Sequence, residues 1–374
     1  MTVNGDRYEN YSEGQAFFVR RAAVAAAVVL LLFSVLTVGT VCEPTWSAAA
    51  SEGVFLPFAE SSFGKVFSPY NLPSVFFRGD KEDVGSSGKN TVGVYDDSHL
   101  EYLEKAEAVF AETDFPDGAL PVIKTTLRAA SGFENIDGVY INNESKKELS
   151  SVSPSPIKLR KNSSLPQVLI YHTHGTESYN PGYSFYDNEV YLPNSTDITE
   201  NVVRIGTVIG TVLENNGVGV VHLTEMFDAS GYSDAYSRSC DAAQKILEKY
   251  PSIRIVLDIH RDTVIDSEGT KMRPIASTEE GTAAQLMILL GSGKNGAEVP
   301  EWRKNLSFAL AVCSEINKIN GDILRPIMLR ATRYNQHLST GSILVEVGTC
   351  GNTLSEAERA AEIFANALLS SCFE

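Results

Sequence analysis

Histidines and acidic residues stand at the ends of three apolar runs in this chain. Gln167–Tyr171 (QVLIY) runs into His172-Thr173-His174-Gly175-Thr176-Glu177, Ile253–His260 (IRIVLDIH) runs into Arg261-Asp262, and Ser342–Gly348 (SILVEVG) carries Glu346. Imidazole and carboxylate are the usual ligands of catalytic zinc, which takes three protein ligands at about 2.0–2.2 Å and keeps one position open for water. Two histidines and one glutamate fill that set. His172 and His174 are two apart and point to one face if the strand continues through them, and only one need be a ligand. His174 is the preferred one, because Gly175 permits a tight turn that returns Glu177 toward the metal. His172 then contacts a ligand or the substrate, although the sequence leaves the choice between the two open.

Glu346 is the candidate general base. A lone carboxylate inside an apolar strand is costly to bury unless it is paired or functional. Beside a Zn2+ ion that lowers the pKa of its water toward ~7, it could take the water's proton and pass it to a leaving nitrogen. Arg261 and Asp262 are placed to orient the ligands or to bind substrate. Tyr334 and Asn335, in the loop before His337, read as substrate-facing. His99 and His222 fit ordinary structural roles, and Cys350 reads as a buried small residue in preference to a nucleophile. The chain has no GxSxG elbow, no phosphate loop, no dinucleotide fingerprint and no HExxH helix.

The elements that must position these groups alternate. Strands are expected at Gln167–Tyr171, Val218–Thr224, Ile253–His260, AAQLMILLG and Ser342–Gly348, with helices at Ile198–Gly217, Ser233–Pro251, NLSFALAVCSEINKI and SEAERAAEIFANALLSS. Leu120–Leu127 and Gly138–Asn143 read as short strands at the edge of the same domain. Such alternation implies an α/β fold, a mainly parallel open sheet flanked by helices, whose ligands sit beyond the carboxyl ends of the strands.

The 374 residues carry a formal charge of −16, so the phosphate neutralisation that dominates nucleic-acid binding has no source here. Five cysteines without a CxxC pair imply no disulfide framework. Ala22–Cys42 is an uncharged apolar run of the length that spans a bilayer, with Arg20 and Arg21 before it. The expected organisation is a cytoplasmic N-terminus over residues 1–21, a transmembrane anchor over 22–42, a partly disordered stalk over 43–117 and a catalytic domain over 118–374. The expected localisation is the cell membrane, single-pass, with the catalytic domain outside the cytoplasm. A cleavable signal peptide ending near Ala48-Ala49-Ala50 is the competing reading.

LIYHTHGTESY (Leu169–Tyr179), DIHRD (Asp258–Asp262), RYNQ (Arg333–Gln336) and LVEVGTCGNTLSEAERAA (Leu344–Ala361), with NVVRIGTVIGTVL between the first two, resemble the stage II sporulation protein P family of endospore-forming bacteria. The resemblance covers residues 118–374. It implies a fold and metal chemistry similar to zinc N-acetylmuramoyl-L-alanine amidases, with the metal on His174, Glu177 and His260 and catalysis by Glu346. It also implies peptidoglycan as substrate, an accompanying endopeptidase activity, a place at the engulfing septum, and partners similar to stage II sporulation proteins D and M. Two other readings compete: a zinc carboxypeptidase or endopeptidase acting on wall peptides, and a non-catalytic wall-binding scaffold.

Overall fold

The computed structural model describes residues 119–373 apart from 183, 187–192, 266–269 and 295. The segments read as cytoplasmic N-terminus, anchor and stalk lie outside the described residues, as does His99. Among the described residues no helix is long and apolar enough to cross a membrane. The longest, Leu354–Phe373, carries Glu356, Glu358, Arg359 and Glu362 in its first half, charges that no hydrocarbon interior accommodates. The single-pass membrane localisation is corrected accordingly.

In chain order the larger elements are β1 (Leu120–Thr125), β2 (Glu134–Ile136), β3 (Val139–Asn143), β4 (Val168–Tyr171), β5 (Phe185–Tyr186), α1 (Val202–Asn215), β6 (Val220–His222), α2 (Ala235–Lys249) and β7 (Ile255–Asp262). They continue with β8 (Lys271–Thr278), β9 (Gly281–Ala284), β10 (Leu286–Gly291), the small hairpin β11 (Gly293–Lys294) and β12 (Ala297–Glu298), α3 (Trp302–Ile319), β13 (Ile327–Arg330), β14 (Ser342–Thr349) and α4 (Leu354–Phe373). Eight strands form one sheet in the order β2-β3-β13-β10-β14-β7-β4-β6. Its β2–β3 and β10–β14 pairs are antiparallel and the rest parallel, so the sheet is mixed. A second sheet, β5-β1-β8-β9, is not expected from the sequence; it takes in Leu120–Thr125, part of the Leu120–Leu127 strand expected at the edge of the domain.

Alternation along the buried strands assigns the two faces of the main sheet. Val168, Ile170, Ile255, Leu257, Ile259, Ile343, Val345 and Val347 join the large core that also holds the apolar residues of α1, α3 and α4. On the opposite face, Leu169, Tyr171 and Val256 pack with Ala235 and Ala243 of α2. Parallel strands covered on both faces read as continuous apolar runs, which is why β4 is buried at every position.

The helix ends are set locally. Asn201 caps α1 by accepting a bond from the Val203 N–H at 2.9 Å, three residues later than the expected start at Ile198. At the other end the N–H groups of Gly217 and Val218 return to the carbonyls of Glu214 and Leu213, which closes the helix in the paired-bond cap typical of a C-terminal glycine.

Candidate functional site

The same alternation that buries Ile259 toward α1 turns Asp258 and His260 of β7 to the α2 face, and it turns Glu346 of β14 there as well. β14 lies parallel to β7 with Glu346 directly opposite His260. After Glu346 the register shifts before Thr349, and Gly348 adopts a φ of +70°. A bulge of this kind re-aims side chains at the end of a strand, and glycine takes the left-handed backbone without strain. Three strand ends thus meet at one edge, as ligand sites in α/β sheets do.

His260 lies between two carboxylates. Its Nε2 lies 2.9 Å from Asp258 Oδ1 and its Nδ1 lies 3.3 Å from Glu177 Oε2. Asp258 in turn accepts the Thr173 N–H at 2.8 Å and the Thr173 hydroxyl at 2.7 Å. Burial opposes charge on the imidazole, yet the two carboxylates outweigh it and raise the His260 pKa well above its ordinary value. The reverse holds for Glu177: burial works to raise its carboxyl, but His260 and Arg261 hold it below the usual carboxylate range.

His174 sits beside this pair, its ring centroid 5.4 Å from that of His260. Tyr232 stacks on it at 4.1 Å and Tyr236 meets it edge-on at 5.5 Å. Its Nδ1 is buried without a hydrogen-bond partner among the described residues, with Asp228 Oδ2 4.0 Å away. Burial lowers its pKa to about 4, so the ring is neutral near pH 7 and carries a free lone pair. Gly175 supports the turn after it by close approach: a Cβ there would stand 2.9 Å from the Met226 Cα.

Glu346 is 9% exposed and its Oε2 has no hydrogen-bond partner among the described residues. Burial first, then the charge of Asp262, push its carboxyl well above the usual range, while His260 and Arg325 pull it down. This is the setting of a carboxyl that exchanges protons near neutral pH.

Several sequence-derived candidates do something else. His172 faces α1 and leaves the cluster: its Nδ1 donates to the Ile259 carbonyl at 3.0 Å, which makes its Nε2 the acceptor of the 2.8 Å bond from His222 Nε2–H. Arg261 is a buried clamp, not a surface contact, with its backbone N–H on Glu177 Oε2 and its guanidinium on the carbonyls of Ser178 and Pro193. Asp262 pairs with the buried Arg325 at 2.7 Å. Asn335 donates to the Tyr236 carbonyl and Ser239 hydroxyl, and Tyr334 packs near Tyr236 at 6.0 Å, so both contact α2 beside the cluster.

Asp258, Asp228, Tyr232 and Tyr236 are members that the sequence reading did not single out. Asp258 carried a signal, since it lies two positions before His260 on the same strand and therefore on the same face.

The donor types suit zinc. Two ligands at ~2.0–2.1 Å on one tetrahedral ion stand about 3.3 Å apart, which is the separation of Glu177 Oε2 and His260 Nδ1. A carboxylate on the far nitrogen of a ligating histidine is the usual support of such a ligand, and Asp258 is in that position. The expected three-ligand set is nevertheless not assembled. Among the described residues no group of three or more His, Cys, Asp or Glu is gathered closely enough to hold a metal ion. His260 lies between the two carboxylates, and His174 stands next to that group.

Residues 124–369 match the family described as Stage II sporulation protein P (SpoIIP). A Bacillus subtilis (strain 168) protein, Stage II sporulation protein P, is 26% identical over 210 residues, a match that takes in 53% of this chain and 49% of that protein. The chain thus spans about half the length of that relative. Among solved structures, the N-acetylmuramoyl-L-alanine amidase AmiC2 of Nostoc punctiforme is 16% identical with a TM-score of 0.35, over 55% of this chain and 96% of that one. The amidase Ami1 of Mycobacterium smegmatis is 13% identical with a TM-score of 0.35, over 57% and 99%. The CwlD amidase of Clostridioides difficile, solved in complex with the GerS lipoprotein, is 16% identical with a TM-score of 0.33, over 55% and 95%.

Proposed function

The chain belongs to the Stage II sporulation protein P family, and from that premise and the geometry around His260 we propose that it is a zinc-dependent peptidoglycan hydrolase of sporulation. The proposed reaction is that of an N-acetylmuramoyl-L-alanine amidase, hydrolysis of the amide joining the glycan to its stem peptide. The observation that carries the proposal is the set of polar groups at one sheet edge: His260 between Asp258 and Glu177, with His174 Nδ1 and Glu346 Oε2 both lacking a hydrogen-bond partner among the described residues.

His174, Glu177 and His260 would hold the metal. Bound there, zinc supplies Lewis acidity toward a carbonyl oxygen and lowers the pKa of water toward ~7. Asp258, 2.9 Å from the Nε2 of His260, would leave the Nδ1 lone pair turned to the metal side. Arg261, through its backbone N–H, fixes the Glu177 carboxylate. Glu346 takes the proton of the attacking water at its Oε2 and returns it to the departing nitrogen, which leaves as an amine. Burial of Glu346 keeps bulk water from competing for that proton.

The full chain incubated with intact sacculi should release stem peptides and leave free lactyl ends on the glycan, read by mass spectrometry. Chelation should stop the release and added zinc should restore it. Shortened peptides still joined to muramic acid would replace the amidase reading with a peptidase one. Release at full rate in the chelated protein would reject zinc dependence.

A further inference from the structure

A cavity of about 260 Å³ opens at the same edge of the main sheet as the catalytic cluster. Its walls come from the starts of β3, β10 and β13, which run opposite to β14 or parallel to a strand that does; their amino ends therefore lie where the carboxyl ends of β14 and β7 lie. Two of its lining residues are bonded to the neighbours of the catalytic groups. The Gln285 carbonyl accepts the N–H of Gly348, two positions after Glu346. The Arg325 guanidinium holds Asp262, two positions after His260.

The cavity is preformed. The Gln285 side chain, fully buried, accepts the Leu127 N–H at 2.7 Å and donates to the carbonyls of Leu127 and Asp322 at 3.1 and 2.6 Å. Asn317 ties α3 to the Gly138 carbonyl at 3.2 Å. Walls fixed before binding lose little freedom when a ligand arrives. Arg128 stands at the mouth, its side chain 48% exposed and paired with an Asp322 that is 56% exposed. An ion pair this exposed holds its partners weakly, so a ligand carboxylate can replace Asp322 on the guanidinium. Tyr140, 49% exposed, offers an aromatic wall on the same cavity. Arg325 is taken up by Asp262, so Arg128, whose partner Asp322 is exposed, is the guanidinium of the lining that a ligand can reach. Arginine forks are suited to planar, two-point recognition of carboxylate.

We infer that this cavity is a subsite for a carboxylate-bearing residue of the peptide arm of the substrate, with Arg128 as its anchor and Tyr140 as its wall. The inference rests on the hydrolase reading above for the identity of the substrate. The volume of about 260 Å³ lies just under the ~300–1,000 Å³ of pockets for drug-sized ligands, so it takes one residue with its carboxylate.

The test uses the full-length chain with Glu346→Gln, so that nothing is turned over, and the peptide L-alanyl-γ-D-glutamyl-diaminopimelic acid as probe, by calorimetry. The subsite predicts that Arg128→Gln weakens binding at least about tenfold, that Arg128→Lys recovers part of the loss, and that the fully amidated peptide binds about as weakly to the parent as the acid does to Arg128→Gln. Tyr140→Ala, a rim change that leaves the Arg128 anchor intact, should weaken both peptides alike. Equal affinity of the parent and Arg128→Gln for the acid peptide, or of the parent for the acid and amidated peptides, overturns it. Arg128-dependent binding by a protein that hydrolyses no sacculi would sink the hydrolase reading and leave the subsite standing. Hydrolysis of sacculi together with Arg128-independent binding would do the opposite.

Discussion

Asp258 Oδ1 lies 2.9 Å from His260 Nε2, and Thr173 pins the same carboxylate through its N–H and its hydroxyl. The imidazole is therefore oriented from behind, with its other nitrogen facing Glu177. Asp258→Asn keeps an oxygen for Thr173 but removes the charge that makes His260 a good ligand. Zinc affinity, measured by competition with a chromophoric chelator, should fall about 10–100-fold. An unchanged affinity would assign Asp258 a purely structural role.

Glu346→Gln replaces a buried acid with a neutral group of the same shape. Stem-peptide release should drop about 10²–10⁴-fold, the share usual for a general base. Metal content should not change, and thermal stability should hold or rise because an amide is easier to bury than a carboxylate. Retention of the wild-type rate would remove Glu346 from the chemistry.

Gly206 of α1 passes close over the His172–His222 pair. A Cβ there would stand 2.6 Å from His172 Cε1 and 2.7 Å from the Nε2 atoms of both rings. Since each ring is tied to the other, neither can move freely aside. Gly206→Ala should destabilise the protein by about 1–3 kcal/mol, an ordinary overpacking cost that outweighs alanine's better helix propensity. A denaturant midpoint equal to that of the parent would contradict the close approach.

Glu356 gathers Arg273, Thr282, Asn352 and the Thr353 N–H around one carboxylate. Burial pushes its pKa up, but Arg273 and Asn352 outweigh this and lower it from the ordinary 4.5. A depressed folded-state pKa contributes stability that is present in full above the unfolded value and is lost as pH falls through the folded one. Unfolding followed from pH 7 down should therefore show a loss of stability beginning below about 4.5, and Glu356→Gln should lessen that slope while being less stable at pH 7. An identical acid slope in the variant would refute the assignment.

How much of this could be read from the residues follows from burial. β4, β7 and β14 are covered on both faces, so each appears as an unbroken apolar run, and the polar groups that break the run mark the strand ends and the site. The sheet partners β1, β8 and β9 were harder to place. β8 carries Pro274 in its interior, which normally argues against a strand, and its alternate residues are only half buried. β9 and β10 read as a single run, AAQLMILLG, although Gln285 divides it between two sheets. Of the two histidines left open, His174 faces the cluster and His172 does not. What decides this is a partner fifty positions away, His222, which no local pattern reveals. Tyr232 and Tyr236 come from the segment around the start of α2, where no spacing rule ties them to His174.

The account turns on whether His174, Glu177 and His260 share one divalent ion. Metal analysis of the purified full chain after equilibration with zinc, repeated on His174→Ala and His260→Ala proteins shown by circular dichroism to be folded, reads this directly. One zinc per wild-type chain and a loss of stoichiometric binding in each variant is the predicted result. Zinc held as tightly by the folded His174→Ala protein as by the wild type, or no stoichiometric zinc in the wild type, would contradict it.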